Sequence, residues 1–71
     1  MNQRELVTDY INEFGSISPM EAFSDLGITK LATVVSMMIR DGYSIHKEWE
    51  HKRNRYGKPV SYMRYSWEVS E

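Results

Sequence analysis

The sequence predicts an α+β domain: three short helices followed by a two-stranded β-hairpin. Three observations carry that prediction. Apolar residues recur at helical spacing as far as Arg40 and with a period of two from Tyr43 onward. A glycine turn, Leu26-Gly27-Ile28, separates the second helix from the third. A cationic stretch, Lys52-Arg53-Asn54-Arg55-Tyr56-Gly57-Lys58, interrupts the period-two region where a hairpin turn belongs.

Leu6, Val7, Tyr10, Ile11 and Phe14 make one apolar stripe on the first helix, with Arg4, Asp9, Asn12 and Glu13 largely off it. Gly15 ends that helix, because glycine takes the left-handed cap conformation without a Cβ penalty. Ser18-Pro19-Met20-Glu21 opens the second helix. The Ser18 hydroxyl can cap the Glu21 amide while the Glu21 carboxylate reaches back to Ser18. Pro19 takes the first helical position, where its missing N–H costs nothing. Met20, Phe23 and Leu26 then recur toward the core. Gly27 breaks the helix, and Thr29 is the expected N-cap of a third helix over residues 30–40. The short glycine turn has the spacing of a helix-turn-helix. On the third helix Leu31, Val34, Val35, Met38 and Ile39 share the inner side. Lys30, Thr33, Ser36, Met37 and Arg40 share the outer side, and Asp41-Gly42 ends the helix.

In the first strand Tyr43, Ile45, Lys47 and Trp49 share one face, and Ser44, His46, Glu48 and Glu50 share the other. Residues 60–67 are rich in aromatic and β-branched side chains, as strands are. Met63, Tyr65 and Trp67 take one face there, and Val60, Tyr62 and Arg64 the other. Asn54 and Gly57 supply turn chemistry, and Pro59 suits a strand start or edge. A short extra strand at Ser16–Ile17 is compatible with the pattern.

Seventy-one residues make one domain, 1–71, and a chain of this size buries only about 60% of its unfolded surface. The expected core is Leu6, Tyr10, Ile11, Phe14, Phe23, Leu26, Leu31, Val35, Met38, Ile45 and Trp67. Phe23→Ala should then cost about 3–5 kcal/mol. Tyr43, Trp49, Tyr65 and Trp67 are expected to seal the sheet against the helices. With no cysteine, disulfides and thiolate metal sites are excluded. No apolar run approaches the roughly 20 residues of a membrane helix, and no signal-peptide core follows Met1. An intracellular soluble protein, without membrane contact, is the expectation.

The net charge of −1 hides a strong asymmetry. Residues 1–50 hold Arg4, Lys30, Arg40 and Lys47 against eight carboxylates, a net of −4. Residues 51–64 hold Lys52, Arg53, Arg55, Lys58 and Arg64 and no carboxylate, a net of +5. One end of the domain therefore suits an anionic partner.

Helix, then helix-turn-helix, then basic hairpin is the order of a winged helix-turn-helix. The chain also resembles the small winged helix-turn-helix proteins common in bacteriophages and prophages. The resemblance lies in Asn2-Gln3-Arg4-Glu5-Leu6-Val7, Gly15-Ser16-Ile17-Ser18-Pro19, Leu26-Gly27-Ile28 and Asp41-Gly42-Tyr43. Asn54-Arg55-Tyr56-Gly57 and Tyr62-Met63-Arg64-Tyr65-Ser66 extend it along the hairpin. It implies this fold over nearly the whole chain and a DNA-binding role. In those proteins the third helix is usually richer in arginine, with a cation near position 34 and polar residues around 37 and 39. Here Lys30 keeps the basic position, whereas Val34, Met37 and Ile39 depart from the pattern.

Double-stranded DNA is accordingly the first expected partner, in a transcriptional regulator. Lys52, Arg53, Arg55 and Lys58 would contact phosphates, with Asn54 and Tyr56 adding hydrogen bonds. The plainer reading is a solvated tip whose charges keep an edge strand from pairing. Thr29, Lys30, Thr33, Ser36, Met37 and Arg40 would line the helix that enters a major groove. A single module offers little area, which favours a homodimer. The alternative is a protein-interaction module or inhibitor of a host protein on the same fold, motivated by the acidic body and the apolar Val34/Met37 region. His46, Glu48 and Glu50 share a strand face but do not make a zinc set, so no metal or other cofactor is expected. No nucleophile elbow, phosphate-binding loop or metalloprotease motif points to an enzyme.

Overall fold

A computed structural model describes residues 2–69. In chain order the elements are α1 (Gln3–Phe14), β1 (Ser16–Ile17), α2 (Pro19–Leu26), α3 (Leu31–Arg40), β2 (Ile45–Arg53) and β3 (Pro59–Trp67). The sheet is antiparallel in the order β1-β3-β2. The expected hairpin is thus present, and Ser16–Ile17 adds a short third strand along β3.

α1 starts where the Asn2 side chain accepts from the Glu5 amide at 2.9 Å. It stops at Gly15, whose φ of 90° is left-handed and whose N–H reaches the Ile11 carbonyl at 2.7 Å. Its buried stripe is Val7, Tyr10 and Ile11. Leu6 is only half-buried, and Phe14 is 63% exposed rather than in the core. A helix on so thin a core buries a narrow strip, and the flanks of the predicted stripe overhang its edge.

α2 carries the expected capping box. Ser18 Oγ accepts from the Glu21 amide at 3.3 Å, and the Ser18 amide donates to Glu21 Oε1 at 2.9 Å. The orientation of this helix differs from expectation. Ala22 is the fully buried residue, while Met20 and Phe23 lie on the outside, Phe23 at 59% exposure. The small Ala22 side chain lets the helix backbone sit close to the core, and this turns Phe23 away. Phe23→Ala is therefore expected to cost only about 0.5 kcal/mol, a surface value. At the C-terminus Gly27, in the left-handed conformation, donates its amide to the Phe23 carbonyl at 3.1 Å, the bond of an αL cap; the Ile28 amide reaches the Ala22 carbonyl at 3.0 Å, and Ile28 is itself buried.

α3 begins one residue later than expected, with Lys30 and not Thr29 at the N-cap. A lysine side chain cannot accept a hydrogen bond, so the cap is carried by the Lys30 carbonyl, which accepts from Thr33 and Val34. Leu31, Val34, Val35 and Met38 are buried, whereas Ile39 is partly exposed. At the far end Asp41 pairs with Arg4, tying the end of α3 to the start of α1.

In the sheet, Ile17 and Lys47 both lie opposite Tyr65, Ile45 opposite Trp67 and Trp49 opposite Met63. Tyr65 and Ile17 are buried in the core, and Ile45, Met63 and Trp67 pack at its margin. The Trp67 indole N–H donates to Asn12 Oδ1 at 2.7 Å, and the Tyr43 ring stacks on Trp67 with centroids 5.9 Å apart. Trp49 does not seal the sheet; it is 61% exposed. At about 3.4 Å per residue a nine-residue strand spans roughly 30 Å, so the hairpin outreaches the short helices.

Candidate nucleic-acid interface

The hairpin register ends at the pair Arg53–Pro59, leaving Asn54-Arg55-Tyr56-Gly57-Lys58 as the turn. The Asn54 amide donates to the Lys58 carbonyl at 2.9 Å, and the Gly57 amide to the Asn54 carbonyl at 2.9 Å. Gly57 has φ of 77°, the left-handed position that such hairpin loops reserve for glycine. Asn54 Oδ1 accepts from the amides of Tyr56 and Lys58 at 2.9 and 3.1 Å. Its side-chain oxygen therefore builds the turn, which presents Arg55, Tyr56 and Lys58 outward from a fixed backbone. Tyr56 is 80% exposed.

The cations divide into two groups. Among the described residues Arg53, Arg55 and Lys58 have no carboxylate partner. The Arg53 guanidinium instead donates to the Gly57 carbonyl at 2.8 Å, which holds it beside the turn. Lys52 is paired, its Nζ 3.1 Å from Glu50 Oε1. Arg64 is engaged more fully. It donates to Glu50 Oε2, to Ser16 Oγ at 3.0 Å and to Glu21 Oε1 at 2.9 Å. Arg64 therefore clips the start of α2 to the sheet, and its charge is spent internally. The +5 of residues 51–64 reduces to three unpaired cations at the tip.

Glu50 is the hub of this cluster, accepting also from the Tyr62 hydroxyl at 2.8 Å. Arg64 first, then Tyr62 and Lys52, hold its carboxyl down to about 2. The same contact pushes the Lys52 ammonium up. A carboxyl with a depressed folded-state pKa stabilises fully above its unfolded value near 4.5. That contribution disappears as the pH falls toward 2. Glu50→Gln should therefore lower the melting temperature at neutral pH and flatten its decline between about pH 4.5 and 2. Thermal melts across that range, wild type beside variant, check both effects.

The candidate groove-reading side chains Thr29, Lys30, Thr33, Ser36 and Arg40 are all exposed along α3, and Met37 is half-buried among them. Val34 is 2% exposed, so the apolar Val34/Met37 surface does not exist; position 34 belongs to the core. α3 packs on α1 and α2, while the hairpin packs on β1 and, through β3, on α2. The hairpin and α3 are thus separate elements that share α2 as a neighbour.

His46 Nε2 lies 3.9 Å from Glu48 Oε2, while Glu50 is committed to Arg64. Among the described residues no set of three or more His, Asp or Glu side chains has a metal-binding arrangement. No single helix there is long and apolar enough to cross a membrane. The Arg64 cluster escaped sequence reasoning because its members are 14 and 43 residues apart, and only the strand register brings them together.

No curated protein and no solved structure matches the chain. A family does. The model of the winged helix-turn-helix domain, a kind of domain that suggests DNA as its partner, matches residues 2–69, and the chain belongs to that family.

Proposed function

We propose that this protein is a small DNA-binding regulator of transcription that anchors on phosphates through the hairpin tip and reads bases weakly with α3. The observation that carries the proposal is the group Arg53, Arg55 and Lys58, unpaired among the described residues and held on a turn fixed by Asn54 and Gly57. Cations so placed suit phosphate contact, which positions a protein on a duplex without reading sequence. Lys30, Thr33 and Arg40 on α3 offer the polar and methyl groups that base edges accept. A phage or prophage setting, and with it a bacterial cytoplasm, is part of the proposal; the likeness of the motifs in the opening helix, turns and hairpin supports it. Two copies meeting on the duplex would supply the area that one module lacks.

The test is an anisotropy titration on mixed-sequence duplex DNA. With about three phosphate contacts, log K should fall against log salt with a slope near −2.7, from roughly −0.9 per phosphate. Arg55→Ala should flatten that slope by about one unit and weaken all duplexes alike. Thr33→Ala should leave the slope in place and change the preference among sequences. No binding at about 50 mM salt, where electrostatic contacts are strong, would overturn the proposal.

A further inference from the structure

Between α1 and the C-terminal end of α2 lies an open groove of about 280 Å³. Its apolar surface comes from Leu6, Tyr10, Phe14 and Leu26. Asp9, Glu13 and Asp25 also line it, and no cation does. The Tyr10 hydroxyl donates to Asp25 at 2.7 Å, which fixes that carboxylate at the groove. Asp9 and Glu13 have no ion-pair partner among the described residues. The Phe14 ring, 4.6 Å from that of Tyr10, is largely uncovered.

Charge selects the occupant. The carboxylates repel a nucleic acid. They also disfavour a two-fold pairing of this face, which would set Asp9 and Glu13 against their own copies. A fitting partner joins an aromatic anchor to flanking cations, and the chain itself displays one: Tyr56, exposed between Arg53, Arg55 and Lys58.

We propose that the groove receives the hairpin tip of a second copy, with the Tyr56 ring against Phe14 and Leu26 and the tip cations facing Asp9 and Glu13. The contact is heterologous: each chain gives its tip and offers its groove, so association runs head to tail and does not close at two copies. It also occupies the cations assigned above to DNA, so a duplex should dissolve the assembly. That last consequence alone rests on the DNA-binding reading.

Sedimentation equilibrium of the full chain, free of nucleic acid, tests the contact. The weight-average mass should rise past that of a dimer with increasing concentration. It should return to that of a monomer at about 1 M salt, where the screening length is about 3 Å. Two charge-reversed variants separate the contact from damage to the fold. Asp9→Lys/Glu13→Lys makes the groove basic, and Arg53→Glu/Arg55→Glu/Lys58→Glu makes the tip acidic. Each alone should associate more than about tenfold more weakly, because like charges then face across the contact. Mixed together, the two should associate again, since each tip meets a groove of opposite charge. A plateau at two chains, indifference to salt, or a mixture that stays monomeric would overturn the proposal. Failure to bind DNA would leave the mass measurements untouched.

Discussion

Arg53→Ala/Arg55→Ala/Lys58→Ala should remove nearly all affinity for duplex DNA. An exposed charge pair contributes at most about 1 kcal/mol. Loss of three such contacts, about 3 kcal/mol in all, weakens binding by roughly 150-fold. The salt response is the sharper signature. Wild-type affinity should fall about 40-fold between about 50 and 200 mM salt, from a slope near −2.7. The triple variant should show almost no salt dependence over that range. Lys52→Ala should do less, because Lys52 already faces Glu50 at 3.1 Å. Arg64→Ala should act on stability, because Arg64 is bound to Glu21, Glu50 and Ser16. Competition titrations on one duplex rank these variants. Equal losses from Lys52 and Arg55 would contradict the division of cations drawn here.

Met38→Ala is expected to have the largest effect on the fold. Met38 is fully buried in the cluster shared by α1, α3 and the sheet. Truncating such a side chain costs about 2–5 kcal/mol through lost transfer energy and the cavity left behind. A domain of this length has a total stability of only about 4–11 kcal/mol, at 0.05–0.15 kcal/mol per residue. The melting temperature should therefore fall by roughly 10–30 °C. Phe23→Ala, from a larger side chain, should move it by only a few degrees, because Phe23 is mostly in solvent. Denaturant melts of both variants test the core directly. A greater loss at Phe23 than at Met38 would show that α2 is turned the other way.

The contrast between Met38 and Phe23 marks where sequence reasoning holds and where it stops. Features set by adjacent residues were legible. Ser18 and Glu21 announced their capping box, Gly15 and Gly27 their helix ends, and Asn54 with Gly57 the turn. The period of two from Ile45 onward gave the hairpin and its faces. The rotation of a short helix about its axis was less legible. An eight-residue helix makes barely two turns, and Met20/Phe23/Leu26 competes with Ala22/Leu26 as its inner stripe. The small Ala22 side chain settles the matter by allowing close approach, a property that a hydrophobic pattern undervalues. Thr29 looked like an N-cap by residue type, yet the helix starts one residue later, behind Lys30.

The candidate site was legible in composition and less so in charge state. The stretch of cations at the tip was plain in the sequence. That Lys52 and Arg64 are neutralised by Glu50 and Glu21 depended on strand register and on where α2 meets the sheet. On the outer face of α3 that the helical period predicts, Lys30, Thr33, Ser36 and Arg40 are exposed and Met37 is half-buried. Val34 is buried, as its place on the inner side of the helix predicts, so it contributes nothing to an apolar protein-binding face on α3.

The most direct measurement is amide chemical-shift mapping of the isotope-labelled protein during titration with a mixed-sequence duplex. The largest changes should fall on residues 53–58, with a second and smaller set on residues 29–40. Added salt should reduce the first set most, because phosphate contacts are the salt-sensitive ones. The amides of Asp9, Glu13 and Asp25, at the acidic groove, should stay in place under conditions where the free protein is monomeric. Changes confined to α1 and the end of α2, with residues 53–58 unmoved, would contradict DNA binding through the hairpin tip.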